Sequence, residues 1–265
     1  MSRLARRATS MSPTPTTAVC GELREPRRHL QGPPHRWHWS AFGEVATIAP
    51  NTWVEIKGTN LAGSPRIWQD ADFANNRMPT QLDGVSVTVN GKSAFIYYIS
   101  PTQVNLLTPP DALSGSVQVQ LTNGSSASSM TVGAQTYSPS FFVFDGIHAT
   151  ATHADGSLIG PLSLYPGFST PAAPNETIIL YANGLGPTSS PVVSGAVTQS
   201  GTLPQLPVVT IGGINATVTF AGLVSPGLFQ LNVVVPAGVP DGDNPLTGTY
   251  NGVPMQSGVI VAVRR

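Results

Sequence analysis

Two histidines in the body of the chain, His148 and His153, lie close in sequence to Asp145, Asp155 and Ser157. A nucleophile, a base and an orienting acid are what covalent hydrolysis requires, so a hydrolase site would centre here. Local Asp and His in a Gly-containing loop are more often turn formers and solvated residues. The nearest approach to a nucleophile elbow, Gly167-Phe168-Ser169-Thr170-Pro171, lacks the closing Gly and carries Pro where a helix must start. Two acidic pairs raise other chemistry. Glycoside chemistry would need two carboxylates facing each other across a cleft, and Asp70 and Asp72 lie together in the insertion 64–82. Asp241 and Asp243 could offer carboxylates to calcium but lack the run of oxygen ligands of a dedicated loop. A plain turn is the expected state, and no metal or other cofactor is expected.

The insertion 64–82 brings Arg66, Trp68, Asp70, Asp72, Phe73 and Arg77 together. Exposed aromatics beside Asp and Arg can stack on a sugar and hydrogen-bond its hydroxyls. On that reading Arg66, Trp68, Asp70 and Phe73 bind a glycan or a partner. The competing reading has Trp68 and Phe73 plugging an open end of the fold, with Arg66 or Arg77 paired to an Asp.

The elements that must position these residues are set by a repeat. Ser100-Pro101-Thr102-Gln103-Val104-Asn105 returns as Ser225-Pro226-Gly227-Leu228-Phe229-Gln230-Leu231-Asn232, with two extra residues in the spacer. Around it, period-two segments recur in both halves: 52–57 with 177–182, 85–89 with 208–211, and 94–99 with 215–220. Asn90-Gly91, Gly212-Gly213, Asn123-Gly124 and Asn251-Gly252 supply hairpin turns. Helical periodicity is nearly absent. Gln103/Asn105 and Gln230/Asn232 each share one face of a strand. Their presence in both copies points to a structural rule in which the Asn amide satisfies an adjoining loop's backbone.

Composition agrees with this reading. Only 10% of residues are charged, while Gly and Pro number 27 and 25, as short strands with tight turns demand. The net charge of zero hides seven Arg against two Glu in residues 1–40. That segment reads as a disordered basic tail. The body has no basic patch, so it is not expected to bind nucleic acid. Cys20 is the single cysteine, leaving no intrachain disulfide. His29, His35 and His38 form a loose tail cluster without a scaffold for metal. No apolar run reaches membrane-spanning length, and no secretory leader is readable.

Several phrases together carry a family resemblance: Gly58-Thr59-Asn60-Leu61, Leu82-Asp83-Gly84-Val85, Tyr98-Ile99-Ser100-Pro101, Leu180-Tyr181-Ala182-Asn183-Gly184-Leu185-Gly186-Pro187 and Gln230-Leu231-Asn232-Val233-Val234-Val235-Pro236. Over about residues 45–263 the chain resembles the Solibacter-type C-terminal domain family of Acidobacteria, whose pattern is similar to IPT/TIG immunoglobulin-like modules. The resemblance implies an extracellular or cell-surface module, found in relatives as part of a larger protein. It carries over no catalytic residue.

The expected fold is all-β: two tandem immunoglobulin-like (IPT/TIG-like) β-sandwiches behind a disordered N-terminal tail. The divisions are 1–41 for the tail, 42–144 for the first sandwich and 145–265 for the second, including a linker hairpin at 145–170. The expected function is non-enzymatic adhesion, spacing or assembly, with another protein or a glycan as partner. A carbohydrate-binding module is the alternative, and a hydrolase the second.

Overall fold

A computed structural model describes the backbone of residues 38–41 and residues 47–265 apart from 125. Among these residues the chain is all-β, and its one helical turn is a three-residue 3-10 segment at Asp70–Asp72.

In the first half, period-two sequences become the strands of two sheets. One has the order His38–Ala41, Trp53–Lys57, Gln103–Leu107, Phe95–Ile99, Arg66–Ile67. The other runs Thr47–Ile48, Ser126–Ala134, Gly115–Asn123, Val85–Val89, Gln81–Leu82, with Lys92–Ser93 also paired to Val85–Val89. Alternation sends Val54, Ile56, Val104 and Leu106 from the first sheet, and Val85, Val87, Val117, Val119 and Leu121 from the second, into one buried cluster. Leu61, Leu82 and Leu113 belong to the same cluster. At the Asn90-Gly91 turn both residues have positive φ, 50° and 75°. Only Gly, and Asn at small cost, accept that conformation.

The second half is one sheet folded on itself. Its path is Ser169–Thr170, Leu158–Ile159, Ala151–Thr152, Thr177–Asn183, Leu228–Val234, Ile214–Ser225, Val208–Ile211, Gly242–Tyr250, Val253–Pro254. Ile214–Ser225 makes the corner. Up to Ala216 it pairs with Val208–Ile211, and from Thr217 onward with Leu228–Val234. A register shift between Val218 and Phe220 marks a bulge, the usual device by which a strand changes sheets. The first half makes the same hand-over at Ala94, between Lys92–Ser93 and Phe95–Ile99, and there the strand is broken. Ile178, Leu180, Leu231 and Val233 share a core with Val209, Ile211, Leu246 and Val261.

Two boundaries differ from the sequence reading. His38–Ala41, assigned to the tail, pairs antiparallel with Trp53–Lys57. Four residues without alternation give no strand signal, and what recruits them is the open backbone edge of Trp53–Lys57. The rest of the tail, with its expected disorder, Cys20, His29 and His35, lies outside the described residues, as does the side chain of His38. Ser140–Phe141, placed in the first sandwich, instead pairs with Thr177–Asn183, and Phe141 is fully buried in the second core.

Candidate functional site

The polar groups proposed for hydrolysis are not brought together. His148 is 8% exposed, and its Nδ1 lies 2.8 Å from Asp145 Oδ2. His153 has a different acid, Glu176, and its Nε2 is 2.9 Å from the Thr170 hydroxyl. Asp155 accepts the Ser157 hydroxyl at 2.6 Å, so that serine faces an acid and not a histidine. Ser169, the would-be elbow nucleophile, is buried and donates to the Pro161 carbonyl at 2.8 Å. Asp145, Asp155 and Ser169 close local turns, while His153 ties its strand to Glu176 and Thr170. Asp241 and Asp243 also part company: Asp241 accepts the Arg265 backbone N–H, and Asp243 approaches His148 Nε2 at 3.6 Å. No group of three or more His, Cys, Asp or Glu among the described residues could hold a metal ion.

The insertion is tied down by charge. Arg66 makes a two-pronged pair with Asp72, at 2.8 and 3.0 Å, and its Nε donates to Asp83 at 2.8 Å. Hydrogen bonding to Asp72 and then Asp83 raises the guanidinium pKa further. Reciprocally, the Arg66 hydrogen bond holds the Asp72 carboxyl below its usual range. Asp72 also accepts the Gln69 N–H, closing the 3-10 turn. Asp70 stands exposed in that turn.

Trp68 is half-buried, with ring centroids 4.9 Å from Tyr97, 5.1 Å from Phe73 and 6.0 Å from Trp53, all edge-to-face. Trp53, Trp68 and Phe73 pack with Met78, Phe95, Leu107 and Val197 in a third apolar cluster. Val197 comes from the second half, so this cluster is a seam between the two cores. Polar groups line it on the second side. Asn183, fully buried, donates to the Trp53 carbonyl at 2.8 Å and accepts the Trp53 N–H at 3.0 Å. The Trp53 indole N–H donates to the Pro226 carbonyl at 2.7 Å. Asn51 donates to Gln199 at 2.8 Å, and the Met78 N–H to the Gly195 carbonyl at 2.8 Å. Gly227 sits at φ +65°, and a Cβ there would come within 2.5 Å of Leu107 and 2.8 Å of Trp53. Gly195, at φ +74°, would meet the Phe95 ring at 2.6 Å.

Sequence reasoning missed the seam residues Trp53, Asn183, Gly195 and Pro226-Gly227. One signal was available: the two-residue excess in the second spacer falls where Pro226-Gly227 meets Trp53. The repeat motif itself has one geometry in both copies. Gln103 Nε2 donates to Asn105 Oδ1 at 2.8 Å, and Gln230 Nε2 to Asn232 Oδ1 at 2.8 Å. The Asn carbonyl thus pairs with the side chain two residues back on the same strand face, where an amide-to-loop contact was expected. Gln103 also donates to Glu55 on the neighbouring strand.

Residues 44–139 match the family model of the IPT/TIG domain, so a domain of that class spans most of the first sandwich. No curated protein matches the chain. Three solved structures align over most of it. They are a Bacteroides ovatus mixed-linkage glucan utilization locus protein, SGBP-B, in complex with a mixed-linkage heptasaccharide (13% identical, 84% of this chain, 44% of that one, TM-score 0.34); the plexin A4 extracellular region, domains 1 to 8 (12%, 87%, 18%, 0.27); and domains 5-6 of the S-layer protein SbsC (12%, 88%, 98%, 0.26). This chain spans 18% of the plexin and 44% of the Bacteroides protein, and no function passes to it from any of the three.

Asn105→Ala is expected to cost roughly 1–3 kcal/mol by leaving the Gln103 amide short of a partner. A denaturant midpoint unchanged from the parent, at equal m-value, would contradict that. Acid should act on the insertion with a definite sign. The folded-state pKa of Asp72 is depressed, so its contribution is complete above the unfolded carboxylate range and is lost as pH falls through the folded value. In titrations of stability, Asp72→Asn should flatten that acid limb and leave the slope near neutrality unchanged.

Proposed function

We propose that this chain is a non-enzymatic extracytoplasmic module for adhesion, spacing or protein assembly, belonging with the Solibacter-type C-terminal domains. The observation that carries the reading is the seam. A half-buried aromatic cluster and paired backbone contacts join the two cores, giving a stiff two-part body suited to holding attached partners at fixed separation. In this reading the division falls ahead of Tyr137, because Tyr137 and Phe141 pack in the second core. Among the described residues no helix is long and apolar enough to cross a membrane.

Trp68 and Phe73 pack into the seam cluster, and Arg66 is held by two aspartates, so this reading gives the insertion a structural part. It stands apart from the glycan and hydrolase readings in one comparison. Trp68→Ala should lower thermal stability, and neither parent nor variant should bind a panel of soil polysaccharides or turn over ester and glycoside substrates. Saturable polysaccharide binding by the parent, lost in Trp68→Ala at unchanged stability, would establish the carbohydrate-binding alternative. Turnover abolished by His153→Ala would establish the hydrolase.

A further inference from the structure

Residues 156–175 contain no charged side chain, yet part of this stretch faces solvent with its apolar groups. Leu162 is 57% and Phe168 75% exposed. The loop that carries them is pinned from inside. The Ser169 hydroxyl donates to the Pro161 carbonyl and accepts the Tyr165 N–H at 3.1 Å. The Phe168 N–H closes a turn onto the Tyr165 carbonyl at 2.8 Å. The Tyr165 ring meets Phe144 edge-on at 5.4 Å, and the turn after Phe144 exposes Ile147 at 47%. A rigid loop with exposed apolar tips is a pre-organised anchor, since little entropy remains to be lost on docking.

The surroundings are acidic. Asp145 follows Phe144, and Asp243 lies across His148 from it; their side chains are 39% and 47% exposed. Glu176 holds His153, which contacts Thr170, two residues beyond Phe168. Residues 140–265 hold five Asp or Glu against two Arg, Arg264 and Arg265, and Arg264 joins the face only through its backbone N–H to Ala172, so the balance is acidic and fits a cationic, partly apolar chain. This protein carries one. Its first 37 residues hold seven Arg and two Glu, with Leu4, Leu23, Leu30 and Trp37 interspersed.

We propose that the acidic, aromatic face around Phe144, Asp145, Leu162 and Phe168 docks the Arg-rich N-terminal segment, residues 1–37, of a second copy of this chain. The place where the segment joins the body favours a second copy over the chain's own face. His38 pairs with Lys57, at the opposite end of its strand from Trp53, which touches the second half. His38, where the segment joins, therefore lies at the end of the first sandwich away from the second half. The proposal rests on the reading of this protein as an assembly module and names what it assembles with.

Sedimentation velocity of the full chain, run under reducing conditions so that Cys20 cannot bridge copies, tests it. Association should appear as concentration rises at low salt. It should fade toward about 1 M salt, where the screening length is about 3 Å. Two variants should each weaken it at least about tenfold: Leu162→Ser with Phe168→Ser on the face, and Arg24→Ser with Arg27→Ser and Arg28→Ser on the tail. A synthetic peptide of residues 1–36 should compete with it. A monomer at every concentration and salt overturns the proposal and leaves assembly with other partners open. Association that survives both variants also overturns it, while still supporting assembly as the function.

Discussion

The structure depends on how Trp53 is held. It opens a central strand of the first sandwich, and its backbone N–H and carbonyl both find the side-chain amide of Asn183, from the second half. Its indole N–H finds the Pro226 carbonyl. The indole of half-buried Trp53 would lose its acceptor without Pro226, and an asparagine at 0% exposure without the Trp53 backbone would strand a whole amide. Each half therefore completes hydrogen bonding that the other leaves open. Gly227 and Gly195 allow the close approach, since a side chain at either position would collide with the aromatic and aliphatic groups opposite. Two separate cores meet through a few residues that belong to neither.

That constraint explains the unusual insertion. Loops on sandwich domains commonly carry binding residues because they sit at an accessible end of a rigid scaffold. Here Trp68 and Phe73 pack into the seam cluster, and Met78 sits beside them at 3% exposure. Arg66 braces the loop against Asp72 and Asp83 from outside. The aromatic-plus-charge composition that resembles a sugar platform is also what a buried contact with a charged rim requires. Composition cannot separate the two, because stacking on a pyranose and stacking on another ring draw on the same side chains.

The strands, their hairpins and the all-β class were legible because period-two alternation and Asn-Gly or Gly-Gly turns are local signals. Val85, Val87 and Val89 alternate with Ser86 and Thr88 in the chain and in burial alike. The Gln-x-Asn motif was legible as a shared strand face, and its partner was not, because a contact between residues two apart looks the same in sequence as two separate contacts to a loop. Asn183 and Gly195 were illegible for a different reason. Asn before Gly reads as a turn, and Asn183 does end its strand at Gly184 (φ +69°). Its decisive partner lies 130 residues away. His38–Ala41 joins its sheet through backbone groups alone, which side-chain patterns do not report.

The central claim is that the two sandwiches behave as one stiff body. Distances between spin labels at Gln118→Cys and Ser257→Cys, in a Cys20→Ser background, measure this directly, because each label sits on an exposed position of a different half. The account predicts a single narrow distance distribution that broadens when Gly227→Val forces the seam apart. A broad or multimodal distribution in the parent protein would mean that the halves swing freely, and would contradict it.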